Sequence, residues 1–199
     1  MNTLKLAGIL QNNRLRVFTT ADAISLSGLS SSALVHTLTR MAKAGLVVHL
    51  KRNIWVNKML ENFRIEEAVP YITSPWISYV SLYSALSEFG IIDEVPQFVF
   101  VVTGGRAFSL KTPFGDISAH HIPLESFFGF HLKVSGTGRF PIADPEKALL
   151  DLVYLASVPR TGIKLPVFRD KPELDIVKLK KYASKWKHPA IRKFIKRFI

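Results

Sequence analysis

A mixed α+β fold is predicted from three observations. Two short helical patterns separated by a glycine turn, then a β-branched hairpin pattern, fill the first sixty residues. Helical and strand-like segments alternate from residue 61 onward. The composition, 48% apolar and 21% charged over 199 residues, is that of a globular chain with a real core and not of a disordered one. That length accommodates two small domains, and the change of pattern places the division between 1–60 and 61–199.

In the first segment, Thr20 followed by Ala21 to Ser27 reads as a short helix with a hydroxyl N-cap, ended by Gly28, which tolerates positive φ. Asp22 sits in its first turn, where the helix dipole favours an acid. After a turn, Ser30 caps a second helix running to about Ala44, and Gly45 stops it. At 100° per residue, Leu34, Val35, Leu38, Met41 and Ala42 of this helix face the core. Ser32, His36, Arg40 and Lys43 fall opposite. Leu46 to Leu50 and Ile54 to Val56 then form two strands joined by the basic tip Lys51, Arg52 and Asn53. Helix, turn, helix and hairpin in this order describe a winged helix-turn-helix.

An ordinary solvated helix would also carry polar residues outward. The outward face here, however, offers hydroxyl, imidazole, guanidinium and ammonium groups without one acid, chemistry suited to base edges and phosphates in a major groove. The basic hairpin tip follows where a wing would lie on the sugar–phosphate backbone. The DNA-contacting candidates are therefore Ser31, Ser32, His36, Arg40, Lys43, Lys51 and Arg52, and double-stranded DNA is the expected partner.

Charge distribution points the same way. Residues 1–60 hold eight basic residues against one acid, residues 61–150 six against ten, and residues 151–199 thirteen against four, giving the net +12. Clustered positive charge is the footprint of a polyanion partner, because neutralising phosphates releases condensed counterions.

From residue 61 the pattern changes. Arg64 to Val69 suggests a helix stopping before Pro70, and Ser78 to Phe89 another, with Gly90 as its stop. Phe98 to Thr103 has the continuous apolar run of a strand buried on both faces. Ala107 to Lys111 and Ile117 to Ile122 suggest two more strands with a turn at Pro113 to Asp116. Asp144 before Pro145 signals a helix start, the carboxylate capping free amides, and the helix runs to about Ala156. Asp175 to Trp186 and Pro189 to Ile199 read as two basic helices, the last with Ile191, Phe194, Ile195 and Phe198 along one side and Arg192, Lys193, Lys196 and Arg197 along the other. The second domain is a mixed helix and strand unit.

Enzyme readings find little support. No acid-x-Lys tripeptide of the restriction-nuclease kind occurs, and two-metal chemistry needs clustered carboxylates that the scattered acids do not offer. A metal-dependent nuclease is the alternative from that class. His120 and His121 are adjacent, so a strand would point them to opposite faces, and His131 stands apart. Gly104, Gly105 and Arg106 lack the lysine and spacing of a phosphate loop and read as a turn. Ser84 and Ser87 have no histidine at motif spacing. No catalytic residue, metal or cofactor is expected. Cysteine is absent, which fits a reducing compartment. The longest apolar run, Phe98 to Val102, is far too short to span a membrane, and the first residues lack a secretory pattern. A cytoplasmic protein is expected.

The winged helix-turn-helix pattern, followed by SYVSLYSALSEFGIID, the strand QFVFVVT, a hairpin and IADPEKALLDL, resembles the AbiEi family of type IV antitoxins over nearly the whole chain. None of these motifs is catalytic. The resemblance implies an autorepressor whose first domain binds its own promoter and whose second domain opposes a nucleotidyltransferase-like toxin. Winged-helix modules usually read paired half-sites, so a dimer or two monomers on repeats is expected. It carries the recognition positions onto Ser32, His36, Arg40, Lys43, Lys51 and Arg52. Its second-domain motif falls on Tyr79, Ser84, Ala85, Leu86 and Gly90, and on Asp144, Pro145, Glu146, Lys147, Ala148 and Asp151. Capping and packing are the competing account of these second-domain positions. The chain is compact beside longer relatives, so any extended antitoxicity region is expected to be reduced. A transcription factor without a toxin partner is the nearest alternative.

Overall fold

The computed structural model describes residues 3–168 and 173–198. It is a mixed α+β fold: N-terminal helices with a small three-stranded antiparallel sheet, then a six-stranded mixed sheet with further helices.

The first unit runs α1 (Thr3–Asn12), β1 (Val17–Thr19), α2 (Thr20–Ser27), α3 (Ser31–Lys43), β2 (Val47–Lys51) and β3 (Ile54–Asn57), with β3 between β1 and β2. Helix–turn–helix followed by the β2–β3 hairpin is the winged-helix arrangement. Leu6 and Leu10 of α1, Phe18 of β1, and Leu34, Leu38 and Met41 of α3 are all fully buried in one cluster with Val47 and Trp55. Burying each large side chain contributes about 1.5–3 kcal/mol, so this cluster fixes the pose of α3. Helix α1 and strand β1 were not anticipated. The only signal for α1 was the spacing of Leu6, Ala7 and Leu10, weakened by the central Gly8.

The cap of α2 lies one residue earlier than predicted. Thr19, not Thr20, accepts from the Asp22 amide, and the Asp22 carboxylate accepts from the Thr19 amide at 2.7 Å, closing a capping box. The Thr20 hydroxyl is engaged elsewhere, accepting from the Trp55 indole at 3.2 Å. Gly28 ends α2 at φ 66°, as its position suggested. Val35, expected in the core, is 46% exposed. Thr37 takes the inward place instead, its hydroxyl satisfied by the Ala33 carbonyl at 2.8 Å.

The second unit begins with a 3-10 turn (Ile65–Ala68) running into α4 (Val69–Thr73). Pro70 therefore does not stop the predicted helix; it occupies the first turn of α4, where its missing N–H costs nothing. The predicted helix over 78–89 divides into strand β4 (Ser78–Val80) and helix α5 (Leu82–Glu88). All three β4 residues are buried, and the strand sits near the middle of the large sheet.

Strand β5 (Phe98–Thr103) pairs with β4 antiparallel and with β7 (Asp116–His121) in parallel, and β6 (Phe108–Leu110) closes that edge. Only the second half of β5 is buried; Phe98 is partly open, contrary to the two-sided burial predicted. On the other side β9 (Gly138–Ala143) runs parallel to β4 and pairs with edge strand β8 (Phe130–Ser135). These two strands were not predicted. Helix α6 (Pro145–Ser157) packs against α5, and α7 (Ile176–Lys185) and α8 (Pro189–Phe198) pack on α6. The predicted end of the last helix, Ile199, lies outside the described residues.

The two units share a core. Val17, Leu50, Ile54 and Val56 lie in the same buried cluster as Ile65, Ala68, Val69 and Ile72. Every residue of β3 is buried, because its sheet has the helices of the first unit on one face and α4 on the other.

A polar clamp flanks this shared core. Arg16 Nε donates to Glu67 Oε2 at 2.6 Å and its Nη2 to Oε1 at 3.1 Å, while Nη1 reaches Thr137 Oγ1 and the Glu61 carbonyl. Gly138 makes this possible: a Cβ there would lie 2.3 Å from the Glu67 carboxylate.

Candidate nucleic-acid interface

Helix α3 is built to present one face outward. Ser30 caps it by accepting from the Ala33 amide, and the apolar row Leu34, Leu38 and Met41 anchors it. On the other side Ser31, Ser32, Val35, His36, Thr39, Arg40 and Lys43 are exposed. The structure thus brings the five predicted α3 residues onto a single surface, adding Val35 and Thr39. Val35 offers an apolar contact of the kind a thymine methyl accepts. Arg40 and Lys43 occupy the last turn, where the helix dipole favours cations.

The hairpin tip divides the two predicted wing residues. Arg52 is exposed beside Asn53, whose φ of 62° lets the chain turn, and the Asn53 carbonyl accepts from the Thr20 amide at 2.9 Å. Lys51 turns the other way. Its ammonium donates to the Ile72 carbonyl at 3.1 Å and lies 5.4 Å from the Phe108 ring, against the second unit. Sequence could not separate these two residues, because the partner of Lys51 is a backbone carbonyl on a helix placed by tertiary packing.

The second-domain motif resolves into three places. In the first, Lys147 and Asp151, one turn apart on α6 and both wholly buried, form an ion pair. Asp151 Oδ2 also accepts from Tyr79 Oη at 3.1 Å and Ser81 Oγ at 2.8 Å. The ammonium is surrounded by the rings of Trp186, Phe128 and Tyr79, at 4.7, 5.1 and 5.6 Å. Burial pushes the Asp151 carboxyl up and the Lys147 ammonium down, each opposed by the attraction of the other. Burial also pushes the Tyr79 phenol well up, with the Asp151 charge adding to it. This cluster is closed to solvent and knits α6 to β4.

In the second place, Asp144 and Glu146 meet α7. Lys178 Nζ lies 3.1 Å from a carboxylate oxygen of each, and Tyr182 Oη donates to Asp144 at 2.8 Å. His131 Nδ1 is 2.9 Å from the other Asp144 oxygen. Asp144 occupies the N-cap position of α6, but its side chain makes none of the predicted capping bonds, since these partners hold it. Glu146 instead accepts from the Asp175 amide at 2.9 Å.

The third place is Ser84, apart from both: its hydroxyl accepts from the Phe100 amide at 2.8 Å and donates to the Phe98 carbonyl, pinning α5 to β5. Ser81, Lys178 and Tyr182 were missed as members of these networks. For Lys178 and Tyr182, the i,i+4 spacing on the predicted helix was the available signal.

Two carboxylates connect this unit to pH. Burial works to raise Glu88, but hydrogen bonds from Arg64 and Lys133, the latter at 2.6 Å, outweigh it and hold Glu88 below its ordinary value. Asp144 is likewise lowered, burial being outweighed by Tyr182, Lys178 and His131. A depressed carboxylate contributes stability that is complete above its unfolded value near pH 4 and is lost as pH falls through the lower folded value. The Glu88→Gln/Asp144→Asn variant should therefore lose less Tm between pH 6 and pH 3 than the parent. Equal losses in thermal melts would contradict this.

Among the described residues no group of His, Cys, Asp or Glu is placed to hold a metal ion, and no helix is long and apolar enough to cross a membrane. His120 and His121 are separately engaged, with Ser118 Oγ and the Gly105 carbonyl, each at 2.9 Å. Compared with models of known protein families the chain matches none, and a search of curated proteins likewise finds no match.

Proposed function

We propose that the protein is a DNA-binding repressor of its own promoter, reading the major groove with α3 and the neighbouring backbone with Arg52. The observation that carries this reading is the exposed, acid-free face of α3, on which Ser32, His36, Arg40 and Lys43 stand over a fully buried anchor. A rigid helix with donors on one side and packing on the other limits the ordering cost of binding. Occlusion of the promoter is the mechanism. On the strength of the AbiEi resemblance, the second unit is proposed to oppose a nucleotidyltransferase-like toxin.

The test is binding of the intact protein to its own upstream duplex and to a scrambled duplex at two salt concentrations. Arg40→Ala should weaken the specific complex by about 1–3 kcal/mol if the guanidinium grips a base bidentately. Arg52→Ala should act differently, lowering affinity for both duplexes and reducing the salt slope by about one. Lys51→Ala should leave that slope nearly unchanged, since its ammonium is held by Ile72. Equal affinity for both duplexes, insensitive to the His36→Ala/Arg40→Ala variant, would overturn the repressor. Co-expression with the product of a neighbouring toxin gene tests the antitoxin role, and growth arrest that the protein does not relieve would leave a transcription factor alone.

A further inference from the structure

Between the hairpin tip and the large sheet lies a cleft of about 490 Å³ whose lining includes Lys51, Trp76, Thr103, Arg106, Phe108 and His121. That volume falls within the range of small-ligand sites. Among the described residues no Asp or Glu lines it, although the segment 61–150 that forms most of its wall is acidic overall. Trp76 is the notable wall. It is 51% exposed, whereas Trp55 and Trp186 are 8% and 4% exposed.

The ring lies directly on bare backbone: a Cβ at Gly105 would come within 2.5 Å of Trp76 Cδ1. That backbone is in turn held by the Gly105 amide donating to Thr103 Oγ1 at 3.1 Å and by His121 Nδ1 at 2.9 Å from the Gly105 carbonyl. An indole supported underneath and open above is a platform. Lys51 and Arg106 stand beside it, the first with ammonium donors beyond the one given to Ile72.

We propose that this cleft binds a nucleoside phosphate, the base stacking on Trp76 and the phosphates meeting Arg106 and Lys51. An aromatic platform flanked by cations is how proteins hold unstacked bases without reading sequence. An acidic peptide would use the cations and leave the indole idle. The same chemistry could arrive as a free nucleotide or as part of a single strand. The site is separate from the outward face of α3, so it stands or falls independently of promoter binding.

Intact protein is titrated with ATP, with a short oligothymidylate, with inorganic triphosphate and with polyglutamate, followed by tryptophan fluorescence and calorimetry. Binding of ATP or the oligonucleotide is expected, with quenching, weakened about five- to a hundredfold in Trp76→Leu and in Arg106→Ala. Trp76→Phe should retain much of the affinity, and Trp76→Leu should keep the parent's circular dichroism spectrum and cooperative thermal transition, which shows that it folds. ATP alone would identify a free nucleotide, and the oligonucleotide alone a strand. Triphosphate binding as tightly as ATP, polyglutamate binding more tightly than either, or no binding at all would overturn the proposal.

Discussion

Asp151→Ala should lower the free energy of unfolding by roughly 3–5 kcal/mol, the cost of leaving a buried charge without its partner. Lys147 is wholly enclosed, and without Asp151 its ammonium keeps only aromatic faces around it. Tyr79 and Ser81 lose their acceptor in the same stroke. A domain of this size has only about 5–15 kcal/mol of net stability, so the loss is a large fraction of the whole. Urea unfolding followed by circular dichroism measures the loss. The double replacement Lys147→Met/Asp151→Leu should recover the part due to the unpaired ammonium, because apolar residues of similar volume often substitute for a buried pair, while the Tyr79 and Ser81 hydroxyls still lack their acceptor. A loss below about 1 kcal/mol for Asp151→Ala would mean that the charges are not the organising feature of α6.

Breaking the clamp between the units should have the next largest effect. Arg16→Ala leaves Glu67, whose side chain is 4% exposed, without its bidentate partner, and also removes bonds to Thr137 and to the Glu61 carbonyl. Arg16 itself is slightly open to water, so a loss near the lower end of the 3–5 kcal/mol range is expected. Gly138→Ala should reproduce much of this effect without touching either charge, by pushing the Glu67 carboxylate out of place. Denaturant midpoints of both variants check this, and a Gly138→Ala variant as stable as the parent would show that Glu67 can shift at little cost.

The first unit was legible because its signals are local. Ser30, Gly28 and Gly45 mark ends that depend on cap geometry alone, and the spacing of Leu34, Leu38 and Met41 sets the inward face of α3. Val35 escaped because an apolar residue beside the stripe looks like part of it; the buried Thr37 could be inferred only from its ability to bond back to the Ala33 carbonyl. The sequence of strand β4 reads as helix since its three residues run straight into α5, and only pairing with β5 and β9 identifies it. Strands β8 and β9 were obscured by Pro141 and by polar residues on the open side of the hairpin. At the candidate site, the outward residues of α3 followed from helical period, whereas the diversion of Lys51 and the gathering of Lys147, Asp151, Tyr79 and Ser81 depend on contacts between segments far apart in the chain.

The complete burial of β3 bears on how freely the first unit could be moved between proteins. Severed near residue 60, the winged unit would turn Val17, Leu50, Ile54 and Val56 to water as one continuous greasy flank. The unit is thus not a detachable cartridge on a tether. Any graft onto another scaffold would have to bring a substitute for α4, and a push on that helix from within the second unit would be felt at the tip of the hairpin.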